Sequence, residues 1–299
     1  MRIVAALGGN ALLQRGEPLT AENQRANVAR AVGPLAKLAE EGHELIITHG
    51  NGPQVGLLAL QAASTPDTPL PLDILDAESA GMIGYVLQQE LVNVMNDRQF
   101  ATLLTQVMVS ETDPAFASPT KPIGPIYDEA TARALAGERG WNIAPDGASW
   151  RRVVPSPRPL DILEKEVISL LVAHRVVVIC AGGGGIPVVK LPSGNIAGIE
   201  AVIDKDYASS LLARQLSADM LLLLTDVDAV YHGWGTPDVQ AIRELSAARI
   251  QKGEFASGSM GPKVGAAAEF AATGRKAAIG KLEDAVLIVK GERGTVFVA

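Results

Sequence analysis

Cysteine is almost absent from the 299-residue chain. Cys180 alone excludes an intrachain disulfide, and no Cys/His cluster has zinc-ligand spacing. Both facts suit a reducing, cytoplasmic setting. Long apolar runs are also lacking: none approaches the roughly 20 residues a membrane-spanning helix needs, so no membrane span is expected. Gly8, Gly9 and Asn10 interrupt the apolar start and no cleavage site follows, so it reads as a buried strand and its turn rather than a signal peptide. Aromatics make up only 4% of residues, too few for the stacking platforms of a single-strand nucleic-acid binder. Basic charge is in deficit as well, with 26 Lys plus Arg against 33 Asp plus Glu and a net charge of −7. That balance excludes a dedicated nucleic-acid or anionic-membrane binder and leaves room for a local basic pocket.

What the chain does have is a 47% apolar composition and 30 glycines. Aliphatic runs at Arg2 to Leu7, Glu44 to Thr48, Ala101 to Val109, Arg175 to Ala181, Met220 to Thr225 and Ala277 to Gly280 lack polar alternation. They read as strands buried on both faces, as in parallel sheets. Helical stretches lie between them at Ala21 to Glu41, Asp76 to Asp97, Asp161 to His174, Lys205 to Leu216 and Pro262 to Thr273. The alternation predicts an α/β fold, a mainly parallel open sheet covered by helices on both faces. In the helix from Asp161, that aspartate is the expected cap, with Glu164 at the capping-box position. Leu163, Val167, Leu170 and Leu171 form the expected apolar stripe.

Residues 113–159 differ in composition, with eight of the 18 prolines and two of the three tryptophans, Trp141 and Trp150. The segment reads as an inserted, protruding lid with a small core of its own and one helix, Asp128 to Arg139, within a single domain of residues 1–299.

Glycines cluster directly after three predicted strands, at Gly8-Gly9-Asn10, Gly50-Asn51-Gly52-Pro53 and Gly182 to Gly185. Each alone fits a tight turn as well as an anion cradle. Three on the carboxyl edge of one sheet, exposing backbone N–H groups, favour a phosphate site. No Walker motif is present, and Gly182 to Pro187 lacks the last glycine of a dinucleotide fingerprint. Cations must therefore come from elsewhere. Only 10 lysines occur, and three stand in constrained settings: Lys121 before Pro122, Lys205 between Asp204 and Asp206, and Lys263 after Gly261-Pro262. Lys263, at a helix N-terminus, opposes the helix dipole unless an anion is near. Asp226 and Asp228 after a strand suit a ligand hydroxyl or a cap. His49 is read as orienting its loop, and Cys180 as core.

Several longer strings closely resemble carbamate kinases: Ala6 to Leu12, Thr48 to Gly56, Gly81 to Tyr85, Pro119 to Gly124, Trp150 to Pro157, Gly182 to Pro187, Glu200 to Asp206, Thr225 to Asp228 and Gly258 to Lys263. They occur in the family's order along the whole chain. The resemblance implies the amino-acid kinase fold, a three-layer αβα sandwich with an inserted lid. It also implies a homodimer, ATP/ADP with Mg²⁺, and reversible conversion of ATP and carbamate to ADP and carbamoyl phosphate, serving ATP synthesis. Carried over, Gly8, Gly9, Asn10, Gly50, Asn51 and Gly52 hold the phosphoryl group and carbamate. Lys121, Lys205, Asp206 and Lys263 are catalytic, and Thr225, Asp226, Tyr231, Met260 and Pro262 line the nucleotide pocket. No protein metal ligand is implied. Two rival readings are a kinase of another small carboxylate and a catalytically silent binding homologue. One departure stands out: Ala229 replaces the family's usual glycine, and would be strained if that turn needs positive φ.

Overall fold

The computed structural model describes residues 1–9, 12–13, 17–62, 70–250, 255 and 260–299. Asn10 lies outside them. The dominant sheet comprises β1 (Arg2–Leu7), β2 (Glu44–His49), β3 (Phe100–Thr102), β9 (Val177–Ile179), β12 (Met220–Thr225), β15 (Glu244–Ser246), β16 (Lys276–Lys281) and β17 (Thr295–Val298). Its order is β15-β17-β16-β12-β1-β2-β9-β3, and every neighbouring pair is parallel except β16 with β17. A second sheet joins β4 (Gln106–Met108), β8 (Asp161–Ile162), β10 (Ile186–Lys190) and β11 (Ile196–Gly198). A third, antiparallel, holds β5 (Lys121–Tyr127), β6 (Asn142–Asp146) and β7 (Ser149–Val154), and β13 (Val230–His232) pairs with β14 (Gln240–Ile242).

Successive strand residues point to opposite faces, and each face of the dominant sheet has its own helical layer. Ile3, Ala5, Leu7, Leu222 and Leu224 pack under α1 (Ala21–Glu40), α3 (Leu72–Val94) and α8 (Ala285–Val289). Val4, Ala6, Leu221 and Leu223 pack under α5 (Lys165–Ala173), α6 (Lys205–Gln215) and α7 (Met260–Ala271). The three-layer sandwich follows directly. The strands carry no polar alternation because neither face meets water.

Residues 113–159 stand on α2 (Gly52–Ala62). A Cβ on Gly56 of that helix would fall 1.9 Å from the Gly124 Cα, so the two backbones meet without side chains between them. The carboxylate of Asp113 caps a short turn through the Ala115 N–H at 2.8 Å and takes the Arg158 N–H at 2.9 Å, joining the two ends of the segment. Asp128 caps α4 (Glu129–Arg139), accepting the Thr131 N–H, and Gly140 ends it at φ 66°.

The structure revises several local expectations. The run Ala101 to Val109 is divided between two sheets. Thr102 ends β3, and Thr105 turns the chain off the dominant sheet, its hydroxyl taking the Ala181 N–H and its carbonyl the Ile186 N–H. Helix α5 starts at Lys165 rather than Asp161. Asp161 belongs to β8, where it accepts from Lys165 and Gln215, while Glu164 accepts from the backbone and side chain of Gln106 and makes no cap. The stripe expected on that helix is also displaced: Ile168 and Val172 are buried, whereas Val167 and Leu170 are more than half exposed. Nor is the core of residues 113–159 wholly their own. Ile123 and Val154 join Val55, Leu72 and Leu75 from α2 and α3, while Trp141 and Trp150 lie half-buried beneath the guanidinium groups of Arg139, Arg152 and Arg133. Ala229 is fully buried and does not adopt positive φ, so the suspected strain is absent.

Two glycines offer a clean test of packing. Gly183 and Gly194 both have positive φ, but an added Cβ at Gly183 would sit 2.2 Å from the Asn51 side chain, whereas at Gly194 it meets open space. Gly194→Ala should cost about 1 kcal/mol in urea unfolding, and Gly183→Ala about 1–3 kcal/mol more from overpacking. Equal losses would contradict the packing described.

Candidate functional site

Because β1, β2, β9 and β12 run parallel, their carboxyl ends share one edge of the sheet. Gly8 follows β1 and donates its N–H to the Leu224 carbonyl at 2.8 Å; a Cβ there would stand 3.0 Å from the same oxygen. The first glycine loop is thereby pinned against β12. A Cβ on Gly50, after β2, would lie 3.5 Å from the Lys205 Cδ and 3.8 Å from the Gly9 nitrogen. Around Gly9 and Gly52, by contrast, added Cβ atoms would meet nothing within 4 Å among the described residues. The first two loops and Lys205 thus converge, with unobstructed backbone beside them and the N-terminus of α2 beginning at Gly52.

At the start of α6 the Asp204 carboxylate caps the helix through the Asp206 N–H at 2.9 Å. Its other oxygen accepts from Lys121 Nζ at 2.6 Å, tying the strand of the inserted segment to this helix start. Asp206, two residues on in the same turn, accepts from Lys205 Nζ at 2.5 Å and from Lys263 Nζ at 3.1 Å, with all three side chains less than a tenth exposed. Burial raises the Asp206 carboxyl, but the charges of Lys205 and Lys263, reinforced by their hydrogen bonds, overcome it and hold the group well below the usual carboxylate range. Burial lowers the Lys205 ammonium, Asp206 opposes that fall, and Lys263 adds to it. Lys263 lies in the first turn of α7, and the Asp206 carboxylate is the nearby anion its position demands. Two buried cations share one anion here. Two ammonium groups held side by side suit a phosphoryl group.

The third glycine loop has a different role from the first two. Gly182, Gly183 and Gly184 are buried, and added Cβ atoms would strike His49, Asn51 and the Ile203 carbonyl at 2.6, 2.2 and 2.4 Å. The Gly184 and Gly185 N–H groups are spent on the Ala181 and Gly182 carbonyls. This turn seats the other loops closely. His49 is buried against it, 3.2 Å from the Gly50 carbonyl. Burial lowers its pKa to about 4; the Gly50 hydrogen bond opposes that, and Lys205 lowers it further. The ring is therefore neutral at pH 7 and orients the loop.

Thr225 and Asp226 leave the end of β12, the Thr225 hydroxyl donating to Asp226 at 3.1 Å. Tyr231 donates to Asp228 at 2.6 Å, its ring 5.3 Å from that of Trp234, which is 67% exposed. Met260 and Pro262 open α7 beside Lys263. Asp204 is the polar partner that the sequence reading did not select; its signal was the N-cap position immediately before the helix. Among the described residues no group of three or more His, Cys, Asp and Glu is arranged to hold a metal ion.

The Amino acid kinase family profile matches residues 1–281. A carbamate kinase of Haemophilus influenzae is 56% identical over 298 residues, covering 99% of this chain and 96% of the relative. The chain belongs to the carbamate kinase family. Solved carbamate kinases agree. That of Giardia lamblia bound to citric acid has a TM-score of 0.94 at 41% identity, and the same enzyme bound to AMP-PNP has a TM-score of 0.90 at 42% identity. Each comparison covers 99% of this chain and 98% of the other.

The neutral His49 has a measurable consequence. The native state refuses a proton that the unfolded chain accepts at its ordinary pKa of 6.5, so this stability is present above pH 6.5 and is lost as pH falls towards 4. The loss attributable to this group totals about 3 kcal/mol. Urea unfolding of wild type and His49→Gln at pH 7 and 4.5 should show the variant losing less on acidification. An equal loss would contradict a buried neutral ring.

Proposed function

We propose that this chain catalyses the reversible transfer of a phosphoryl group between ATP and carbamate, giving ADP and carbamoyl phosphate, through the site built around Lys205, Asp206 and Lys263. The carrying observation is the pair of buried lysines on one carboxylate, next to two glycine loops with open backbone. A carbamate oxygen forms the new O–P bond while the bond from the γ-phosphorus to the bridging oxygen breaks and ADP departs with the electron pair. The nucleophile is already an anion, so no group need remove a proton. That fits a site whose one histidine is buried and neutral. Lys205 and Lys263 balance the charge spread over the phosphoryl oxygens, and Asp206 holds both ammonium groups in place.

In the same reading Gly8, Gly9, Asn10, Gly50, Asn51 and Gly52 receive the phosphoryl group and carbamate, and Lys121 approaches carbamate from residues 113–159, which act as the lid. Thr225, Asp226, Tyr231, Met260 and Pro262 receive the nucleotide, a role supported by a relative's binding of AMP-PNP. Mg²⁺ enters on the nucleotide phosphates as part of the substrate, which suits the donor set of the site. The enzyme works in the cytoplasm, where its one buried cysteine needs no partner, and no described helix is long and apolar enough to cross a membrane.

The homodimer forms through α3. Leu87 and Leu91 turn into the core, while Met82, Tyr85, Val92 and Val94 are 40–55% exposed beside β3, the edge of the dominant sheet. Tyr85, Gln88, Val92 and Thr102 line a shallow groove of about 500 Å³ on this face. A second copy of the same helix is the occupant that matches its apolar character. Val92→Asp should convert a dimer of about twice 31.2 kDa to monomer in light scattering, and a wild-type monomer at micromolar concentration would contradict the interface.

Catalysis is tested by ATP formation from ADP with carbamoyl phosphate, acetyl phosphate or acetylglutamyl phosphate as donor. Carbamoyl phosphate should be the efficient donor; failure with it, or preference for another, would overturn the substrate assignment. Lys205→Ala should lower kcat by about 10²- to 10³-fold while the melting temperature stays close to wild type. Near wild-type turnover would remove Lys205 from the chemistry.

A further inference from the structure

Asn51 is held from behind by helix α3. Its Nδ2 donates to Asp76 Oδ1 at 2.9 Å and to Ser79 Oγ at 2.9 Å, and the Ser79 hydroxyl donates onward to the Asp76 carbonyl at 3.0 Å. Both amide hydrogens are therefore committed to one turn of α3. The face of the carboxamide lies against Gly183, where any Cβ would come within 2.7 Å of its nitrogen, carbon and oxygen. The side chain can neither rotate nor flip without breaking two hydrogen bonds or displacing the glycine turn.

Asp76 itself is unusual. It is 1% exposed, beside the apolar cluster of Val55, Leu72 and Leu75, and its Oδ2 has no hydrogen-bond partner among the described residues. Among the described residues no cation pairs with it. Burial pushes its carboxyl well above the usual carboxylate range; the Asn51 hydrogen bond opposes that, and the nearby Asp73 and Glu200 carboxylates add to it. A buried carboxyl with one oxygen unsatisfied is a poor choice for stability alone, because an apolar residue of similar size would remove the desolvation cost. Its one side-chain contact of consequence is Asn51.

We propose that Asp76, with Ser79, is a positioning residue for the carbamate subsite: the pair fixes which edge of the Asn51 carboxamide is offered to the substrate. This rests on the reading that Asn51 contacts carbamate. Lys205, Lys263 and the nucleotide side do not depend on Asp76, so its loss should fall on one substrate only. A carboxamide freed to rotate presents donor and acceptor edges in turn and binds the small anion less well.

The test is steady-state ATP formation from ADP and carbamoyl phosphate by wild type, Asp76→Val, Asp76→Asn, Asn51→Ala and the Asp76→Val/Asn51→Ala double variant, with melting temperatures. Asp76→Val should raise the KM for carbamoyl phosphate about tenfold, the worth of one hydrogen bond at a charged substrate, with the KM for ADP and the melting temperature unchanged or the latter raised. Asp76→Asn keeps an acceptor for Asn51 and should restore the wild-type KM. In the Asn51→Ala background, Asp76→Val should cost nothing further. If Asn51→Ala is impaired but Asp76→Val keeps the wild-type KM, or if Asp76→Asn is as impaired as Asp76→Val, the positioning role is wrong while the subsite reading stands. If Asn51→Ala itself is silent, the subsite reading fails and takes the proposal with it. Should Asp76→Val not fold, Ser79→Ala removes the other acceptor, with the same raised KM expected and an unchanged KM contradicting the role.

Discussion

The buried carboxylate of Asp206, shared by Lys205 and Lys263, is the interaction on which the site depends. Two ammonium groups brought out of water side by side repel each other; one carboxylate between them offsets that repulsion and fixes their separation. The arrangement is anchored at both ends. Lys205 and Asp206 begin α6, which Asp204 caps, and Lys263 begins α7, which packs with α6 on the same face of the sheet. Moving either helix would break the triad. The hydrophobic layer beneath these helices therefore sets the distance between the two lysines.

Around that pair, glycine serves two purposes. At Gly9 and Gly52 the missing side chain leaves backbone open; at Gly182, Gly183 and Gly184 it lets one loop press against His49, Asn51 and Ile203. The first kind leaves space beside the lysines, and the second packs the loops closely together. His49 and Asn51, adjacent in the chain to the open glycine loop, are each fixed by the closely packed one. Such preorganisation is what a reaction without a general base requires, since placement and charge are its main sources of rate.

Much of the dominant sheet was legible in the sequence because strands buried on both faces leave an unbroken aliphatic signature, as in Arg2–Leu7 and Met220–Thr225. The same signature could not show that Ala101 to Val109 serves two sheets, since Thr105 diverts the chain through tertiary hydrogen bonds to Ala181 and Ile186. Periodicity also misplaced the buried face of α5, where Asp161 is drawn into a strand by Lys165 and Gln215. In the site, the lysines were visible through their constrained neighbours. Asp76 and Ser79 were not, for nothing local separates a buried polar residue on a largely apolar helix from an exposed one. Their meaning comes only from Asn51, 25 and 28 positions away.

The account stands on the two lysines that share one aspartate. Replacing Lys263 by methionine removes one of the two cations at nearly constant volume and leaves Lys205 paired with Asp206. The most direct measurement is the kcat for ATP formation from ADP and carbamoyl phosphate by Lys263→Met. A fall of about 10²-fold or more with an unchanged melting temperature is the predicted result. Turnover close to wild type would contradict the claim that the shared carboxylate exists to hold two working cations.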